Sequence, residues 1–313
     1  MKTAKSVVEL IGETPIVRLG GIREKGEAEI WAKLEYLNPG MSVKDRIALG
    51  IIRQAEKEGR LRKGGTIIEA TAGNTGVALA LVGVSLGYRV VIVMVEGYAR
   101  EKMILVRGLG GEILTVPRDK GMAGAVEKAE ELEASIPGAF RANQFENGSN
   151  PEIHYRTTGP EIWEQLLGKV DGLALGAGTG GSFTGIARFL KEKNPSLKAY
   201  LVDPPGSVLS GESCVGEKMV EGIGGRWWPR NLDRRLVDGF LPLSNREIFH
   251  MVDRLGKLGF PVGASSGANA AGAKRLAGLL GEGRTVVTLL TDPSERYFSK
   301  YIYDGKFEGR EIG

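Results

Sequence analysis

Runs of branched aliphatic residues alternate along this chain with segments of helical period, and that alternation restricts the fold more than any other feature. Arg89–Val95 (RVVIVMV) and Thr285–Leu290 (TVVTLL) are continuous apolar runs, which suit parallel strands covered by helices on both faces. Residues 66–69, Glu112–Val116, 172–175 and 198–202 read as further strands. Helical spacing is expected over 77–86, 122–134, 159–167, 182–193, 245–258 and 267–280, with breaks at Gly87, Gly110, Pro137, Pro195 and Gly259. The fold class this predicts is α/β. A chain of 313 residues has room for about two domains. No repeat, linker or shift in composition marks the boundary between them.

Glycine is the unusual residue, with 47 among 313, roughly twice ordinary usage and without a collagen period. Three glycine-bearing turns fall where strands end and helices begin, the place at which open α/β sheets take ligands. In Thr71-Ala72-Gly73-Asn74-Thr75-Gly76, small residues expose backbone N–H groups at a helix start, which suits a carboxylate or another anion. A tight turn capped by Asn74 or Thr75 explains the same residues equally well. Gly176-Ala177-Gly178-Thr179-Gly180-Gly181-Ser182 offers N–H groups and two hydroxyls to a phosphate. Gly176, Gly178 and Gly181 also satisfy G-x-G-x-x-G, and Asp203 ends the next strand at the spacing of a ribose-binding acid. Taken alone, that segment favours a nicotinamide oxidoreductase. The third turn, Gly263-Ala264-Ser265-Ser266-Gly267-Ala268, is either a hydroxyl-lined site or an ordinary serine cap.

Several function classes are disfavoured. A net charge of +4, without a basic stripe interleaved with aromatics, does not point to nucleic acid. Apolar runs far shorter than a bilayer, and a start without a signal-like core, point to neither a membrane nor secretion. One cysteine, Cys214, rules out an internal disulfide framework and suits a reducing cytoplasm. His154 and His250 lack ligand-like spacing, so each reads as a surface or packing residue and no metal site is expected.

Residues 38–46, Asn-Pro-Gly-Met-Ser-Val-Lys-Asp-Arg, run from a turn into a helix and carry Lys44. A lysine whose pKa is lowered by burial or nearby cations can form a Schiff base. An isolated lysine is ordinarily a solvated charge, so the case for Lys44 rests on its company.

That company resembles the pyridoxal-phosphate β-family of the cysteine synthase and cystathionine β-synthase type. The resemblance runs from Ile11-Gly12-Glu13-Thr14-Pro15 to Arg296-Tyr297-Phe298-Ser299 through SVKDR, GNTG, QFEN, HYRTTGPEIW, GTGG, EGIG and SSGA, in that order. It displaces the dinucleotide reading. It implies a two-domain fold-type II enzyme, each domain an open twisted, mostly parallel sheet flanked by helices. Residues 41–149 would be a smaller mobile domain that closes over the substrate, and 1–40 with 150–313 the larger, phosphate-binding domain.

By the same resemblance Lys44 is the internal-aldimine lysine and the base for the substrate Cα proton. Gly178, Thr179, Gly180, Gly181 and Ser182 hold the cofactor phosphate, Asn74 bonds its 3-hydroxyl, and Ser265 faces its ring nitrogen. A hydroxyl there does not enforce a protonated ring, which favours β-elimination over transamination. Thr71, Ala72, Gly73, Thr75 and Gln144 take the amino-acid carboxylate, and Gly222 borders the substrate. The implied reaction is β-replacement on O-acetyl-L-serine through an α-aminoacrylate, making L-cysteine from sulfide. Homocysteine as acceptor, with O-acetylserine or serine as donor, is the alternative. Many cysteine synthases have TSGNTG, so Ala72 removes one hydroxyl and implies altered substrate preference. A homodimer is implied, and so is a candidate partner, the tail of a serine acetyltransferase. Arg226, next to Trp227 and Trp228, reads either as a contact for a larger acceptor or a phosphoserine donor, or as a surface arginine stacked on tryptophan.

Overall fold

The computed structural model describes residues 3–97, 100–211, 216–300, 302–303, 306–307 and 310–311. Cys214 lies outside them. The chain opens with β1 (Ile16–Arg18) and β2 (Glu29–Leu34), then passes through α1 (Lys44–Lys57), β3 (Thr66–Ala70), α2 (Asn74–Ser85) and β4 (Arg89–Val95). It continues with α3 (Arg100–Gly108), β5 (Glu112–Val116), α4 (Gly121–Ser135), β6 (Phe140–Arg141), α5 (Ser149–Ile153) and α6 (Gly159–Gln165). After these come β7 (Gly172–Gly176), α7 (Gly181–Lys193), β8 (Lys198–Asp203), β9 (Gly239–Pro242), α8 (Asn245–Lys257), α9 (Ala264–Leu280) and β10 (Thr285–Leu290). Two compact units result, Met1–Ile11 with Asn38–Ser149 and Gly12–Leu37 with Asn150–Gly313.

In the first unit the strands stand in the order β5-β4-β3-β6, all parallel. The apolar run of β4 is explained by its two faces. Val91, Val93 and Val95 join Ile68 and Val116 against Ala125 and Ala129 of α4. On the other face α2 lies so close that a Cβ on Gly83 would sit 2.6 Å from Val90. A strand buried on both sides has no position for a polar residue, hence the unbroken run. The chain steps outward from β3 to β4 to β5 and then returns to the far side of β3 as β6. The strand order therefore reverses between β3 and β6.

The second unit holds a sheet in the order β1-β2-β10-β7-β8-β9, antiparallel only between β1 and β2. Its core is made by α8 and α9 with these strands, including Val252, Leu255, Ala268, Leu276, Val202 and Val286. A reciprocal cap between Ser244 and Glu247 starts α8. Here β7, β8 and β9 run one way and β10 lies on the other side of β7, so the order reverses between β7 and β10.

Strand β2 was not among the expected strands, and Lys33 is the reason. Its side chain is fully buried, and its charge is met by Glu161 at 2.7 Å, by Gln165 Oε1 at 3.0 Å and by the Thr14 carbonyl. Helix α9 starts earlier than the expected 267, at Ala264, because Gly263 serves as its N-cap. No helix of the described residues is long and apolar enough to cross a membrane.

Candidate active site

Both reversals of strand order open at the carboxyl ends of parallel strands, where α/β sheets bind ligands. Two of the glycine turns singled out in the sequence lie at these places, while Lys44 begins α1 and Gly222 lies between β8 and β9. In the first unit the turn after β3 carries Thr71, Ala72 and Gly73, and the segment after β6 carries Gln144. In the second unit the turn after β7 carries Ala177 to Gly180, and Thr291 follows β10.

Three helices begin on glycine. Gly73 caps α2, Gly180 caps α7 and Gly263 caps α9, and none of the three starts has a side-chain cap. No capping side chain therefore covers the positive end of these three helices. Asn74 and Thr75 lie inside α2, and Ser265 and Ser266 inside α9, so neither turn is the ordinary capped turn that was the alternative.

In the first unit, Thr71, Thr75 and Gln144 are buried, while Ala72, Gly73 and Asn74 are half-buried. Thr71 Oγ1 accepts the Gly73 N–H at 3.1 Å, and the Thr75 hydroxyl donates to Gln144 Oε1 at 2.6 Å. Asn143, just before Gln144, is held at φ +47°, and Met41, three residues before Lys44, at φ +59°. Both are left-handed conformations that ordinary side chains resist, and such strain gathers at functional sites. Lys44 is the half-buried first residue of α1, its N–H bonded to Ser42 Oγ at 3.3 Å. Its neighbour Asp45 is buried and accepts the Gly40 N–H.

In the second unit the turn after β7 is a cradle whose glycines have no room for a side chain. A Cβ on Gly178 would overlap the carbonyl oxygen of Gly222, and one on Gly181 would overlap the Asn150 amide. Gly180 takes φ +83°, which favours glycine. Thr179 Oγ1 accepts from Asn150 Nδ2 at 2.9 Å. The Ser182 hydroxyl lies 2.9 Å from His154 Nε2, and His154 Nδ1 lies 2.8 Å from the Thr158 hydroxyl. Ser265 Oγ lies 2.7 Å from Thr291 Oγ1, and the Thr291 N–H donates to Ser266 Oγ at 2.8 Å. A backbone cradle at a helix start flanked by hydroxyls fits a phosphate ester, and a hydroxyl fixed by Thr291 fits a neutral aromatic nitrogen. The residues present therefore fit pyridoxal phosphate.

Sequence reasoning did not single out Asn150, Thr291 or Glu69. His154, which the sequence reads as a surface or packing residue, is fully buried and bonds Ser182 at the start of α7. Glu69, on β3 immediately before the first turn, is buried as well. Burial pushes its carboxyl up to about 7, against the downward pull of the Asn143 and Gln144 N–H groups, the Arg141 guanidinium and the Gln144 side chain. Asp203 accepts the Ser210 N–H at 2.9 Å, so that carboxylate is engaged by its own loop. The guanidinium stacked on Trp228 is that of Arg234, 4.0 Å from the ring centre. Among the described residues no group of three or more His, Cys, Asp and Glu side chains is placed to hold a metal ion.

Known proteins point to the same cofactor. Residues 7–292 match the family model described as pyridoxal-phosphate dependent enzyme. The O-acetylserine dependent cystathionine beta-synthase of Bacillus subtilis is 41% identical over 306 residues, covering 97% of this chain and 99% of that protein. A cysteine synthase of Staphylococcus aureus is 40% identical over 305 residues, covering 96% and 98%. The solved O-acetylserine dependent cystathionine beta-synthase of Helicobacter pylori superposes with a TM-score of 0.89 at 39% identity, over 97% of this chain and 100% of that one. The chain belongs to the pyridoxal-phosphate dependent enzyme family, with the α/β architecture of fold type II. Within it, the chain is an enzyme of the cysteine synthase and cystathionine β-synthase type, and pyridoxal phosphate is its cofactor. The nicotinamide reading of Gly176 to Gly181 is thereby corrected: the same glycine geometry serves a phosphate in both classes.

Proposed function

We propose that the enzyme carries out β-replacement on O-acetyl-L-serine with a sulfur nucleophile, making L-cysteine from sulfide. The observation that carries this reading is the meeting of Thr75, in the first turn of the glycine-capped helix α2, with Gln144 from the segment after β6, beside Thr71 of the preceding turn. In this reading Lys44 is the covalent anchor of the cofactor and takes the Cα proton of the substrate on its amine. The Gly178 to Ser182 turn holds the phosphate, Asn74 the 3-hydroxyl and Ser265 the ring nitrogen. Thr71, Thr75, Gln144 and the backbone of Ala72 and Gly73 orient the donor by its carboxylate, and Gly222 borders it. Bound pyridoxal phosphate supplies the electron sink that makes the Cα proton removable and lets acetate leave from Cβ. Residues 41–149 would close over the donor and exclude water while the acceptor enters.

A second reading has homocysteine as acceptor and cystathionine as product. It is supported by Ala72, which takes one hydroxyl out of the donor turn, and by the Bacillus subtilis relative. A homodimer and a serine acetyltransferase tail as partner belong to the proposal through the resemblance. The test is turnover of O-acetylserine by the holoenzyme with sulfide and with homocysteine supplied separately and then together, the two amino-acid products being counted. Cysteine in excess supports the first reading and cystathionine in excess the second. Release of neither product, with O-acetylserine left intact, would discard both.

A further inference from the structure

Glu69, on β3 just before the donor turn, lies at one end of a chain of polar groups that runs through Gln144 to Thr75. The Gln144 side chain and the N–H groups of Asn143 and Gln144 act on its carboxyl as hydrogen-bond donors that favour its ionised form. At its other end the Gln144 amide accepts the Thr75 hydroxyl proton at 2.6 Å. A primary amide has one accepting and one donating end, and a threonine hydroxyl has one proton to give. The direction of the amide therefore decides where that proton goes. With the carbonyl oxygen towards Thr75, the hydroxyl proton is spent inside the protein. With the amide turned, the –NH2 donates to Thr75, and the hydroxyl can donate outward to an anion.

An ionised carboxylate at Glu69 only accepts, so it requires the –NH2 end and fixes the first arrangement. A protonated carboxyl can donate to the carbonyl end and permits the second. Glu69 Oε2 is buried with no hydrogen-bond partner among the described residues, which leaves an oxygen for the proton. The surroundings suit such an exchange. Ile92 lies opposite Glu69 on β4, and α2 carries no ionisable side chain. The charged group acting on Glu69 is Arg141 of β6, which is itself paired with Glu130 and Glu133 of α4.

We propose that Glu69 is a positioning residue for carboxylate capture: ionised, it locks the Gln144 amide so that Thr75 donates inward, and protonated, it releases the Thr75 hydroxyl to the substrate carboxylate. The proposal rests on the reading that Thr75 and Gln144 receive that carboxylate. The probe is propionate, which stays ionised and has no amine to titrate. It is titrated directly into the holoenzyme and followed by its NMR line broadening between about pH 6 and about pH 9. The wild type should bind it about tenfold more weakly at the alkaline end, the worth of one hydrogen bond to a charged group. Glu69→Gln should abolish the slope, whereas a purely structural role would lower affinity equally at every pH. A Glu69→Gln variant that keeps the wild-type slope overturns the proposal. So does a wild type whose affinity does not vary with pH, which decides the matter even if the variant fails to fold. Thr75→Val should bind weakly at all pH values. If it binds propionate as the wild type does, the carboxylate reading itself fails and the proposal with it.

Discussion

Glu69 carries a cost to the fold that can be measured apart from catalysis. In the unfolded chain it is an ordinary carboxyl near 4.5, and in the folded protein burial holds its proton up to about 7. Between those values the native state binds the extra proton, so stability falls as pH rises and levels off once both states are ionised. Glu69→Gln removes that linkage. Its gain over the wild type should be absent at about pH 4 and on the order of 3 kcal/mol above pH 7. Urea unfolding of both proteins at an acid and an alkaline pH measures it, and a constant difference would place the titration elsewhere. None of this was legible in Thr-Ile-Ile-Glu-Ala, where an acid ending a strand looks like one that faces solvent. His154 was obscured in the same way. Its bond to Ser182 joins the π-helical stretch His154–Thr158, between α5 and α6, to the start of α7, residues 28 positions apart in the chain. By contrast, the glycine turns after β3 and β7 were legible because their spacing relative to strand ends is local, whereas the roles given to Lys44 and Asn74 came only with the family resemblance.

At the scale of elements, what could be read was governed by how uniform each environment is. β4 and β10 are covered on both faces, so their runs announce them, and their ends match the expected ranges, whereas α2 and α9 each start three residues earlier than expected because a glycine caps them. β2 is also buried, but Lys33 in its middle is neutralised by groups from elsewhere in the chain, and no local pattern records that compensation. α3 has Arg100, Glu101, Lys102 and Arg107 in nine residues and presents no broad apolar stripe. The start of α7 makes the strongest claim about a single element, because its cradle is closed by backbone from another loop. Gly178→Ala would push a methyl into the Gly222 carbonyl, and the turn must open to relieve it. Overpacking of this kind costs about 1–3 kcal/mol. The strain falls on the proposed phosphate donors, so pyridoxal phosphate affinity should drop by about tenfold or more, while the unliganded protein loses stability by the same order. Equilibrium dialysis with the cofactor and thermal unfolding without it separate the two effects. A variant that melts early but binds pyridoxal phosphate as the wild type does would remove this turn from the phosphate site.

Across the whole molecule the division into units was the least legible feature, because each is assembled from separated stretches of chain. Residues 12–37 supply β1 and β2 to a sheet completed by β10, some 250 residues later, and composition is blind to that pairing. The class of sheet was readable all the same, since the rule that parallel strands need covered faces acts strand by strand. The cofactor offers a test that the chain answers as a whole. A ligand that binds only the folded protein adds RT ln(1 + [L]/Kd), about 2.7 kcal/mol at a hundred times its dissociation constant. Protein stripped of pyridoxal phosphate should therefore melt several degrees below the loaded protein, with a midpoint that climbs as cofactor is returned. Lys44→Ala should keep part of that gain, since the glycine turn, Asn74 and Ser265 remain, but lose the covalent share assigned to the lysine. Melting curves that coincide with and without pyridoxal phosphate in the wild type would show that this chain has lost the ligand its family is built around. Equal gains in wild type and Lys44→Ala would keep the cofactor but move its anchor away from Lys44.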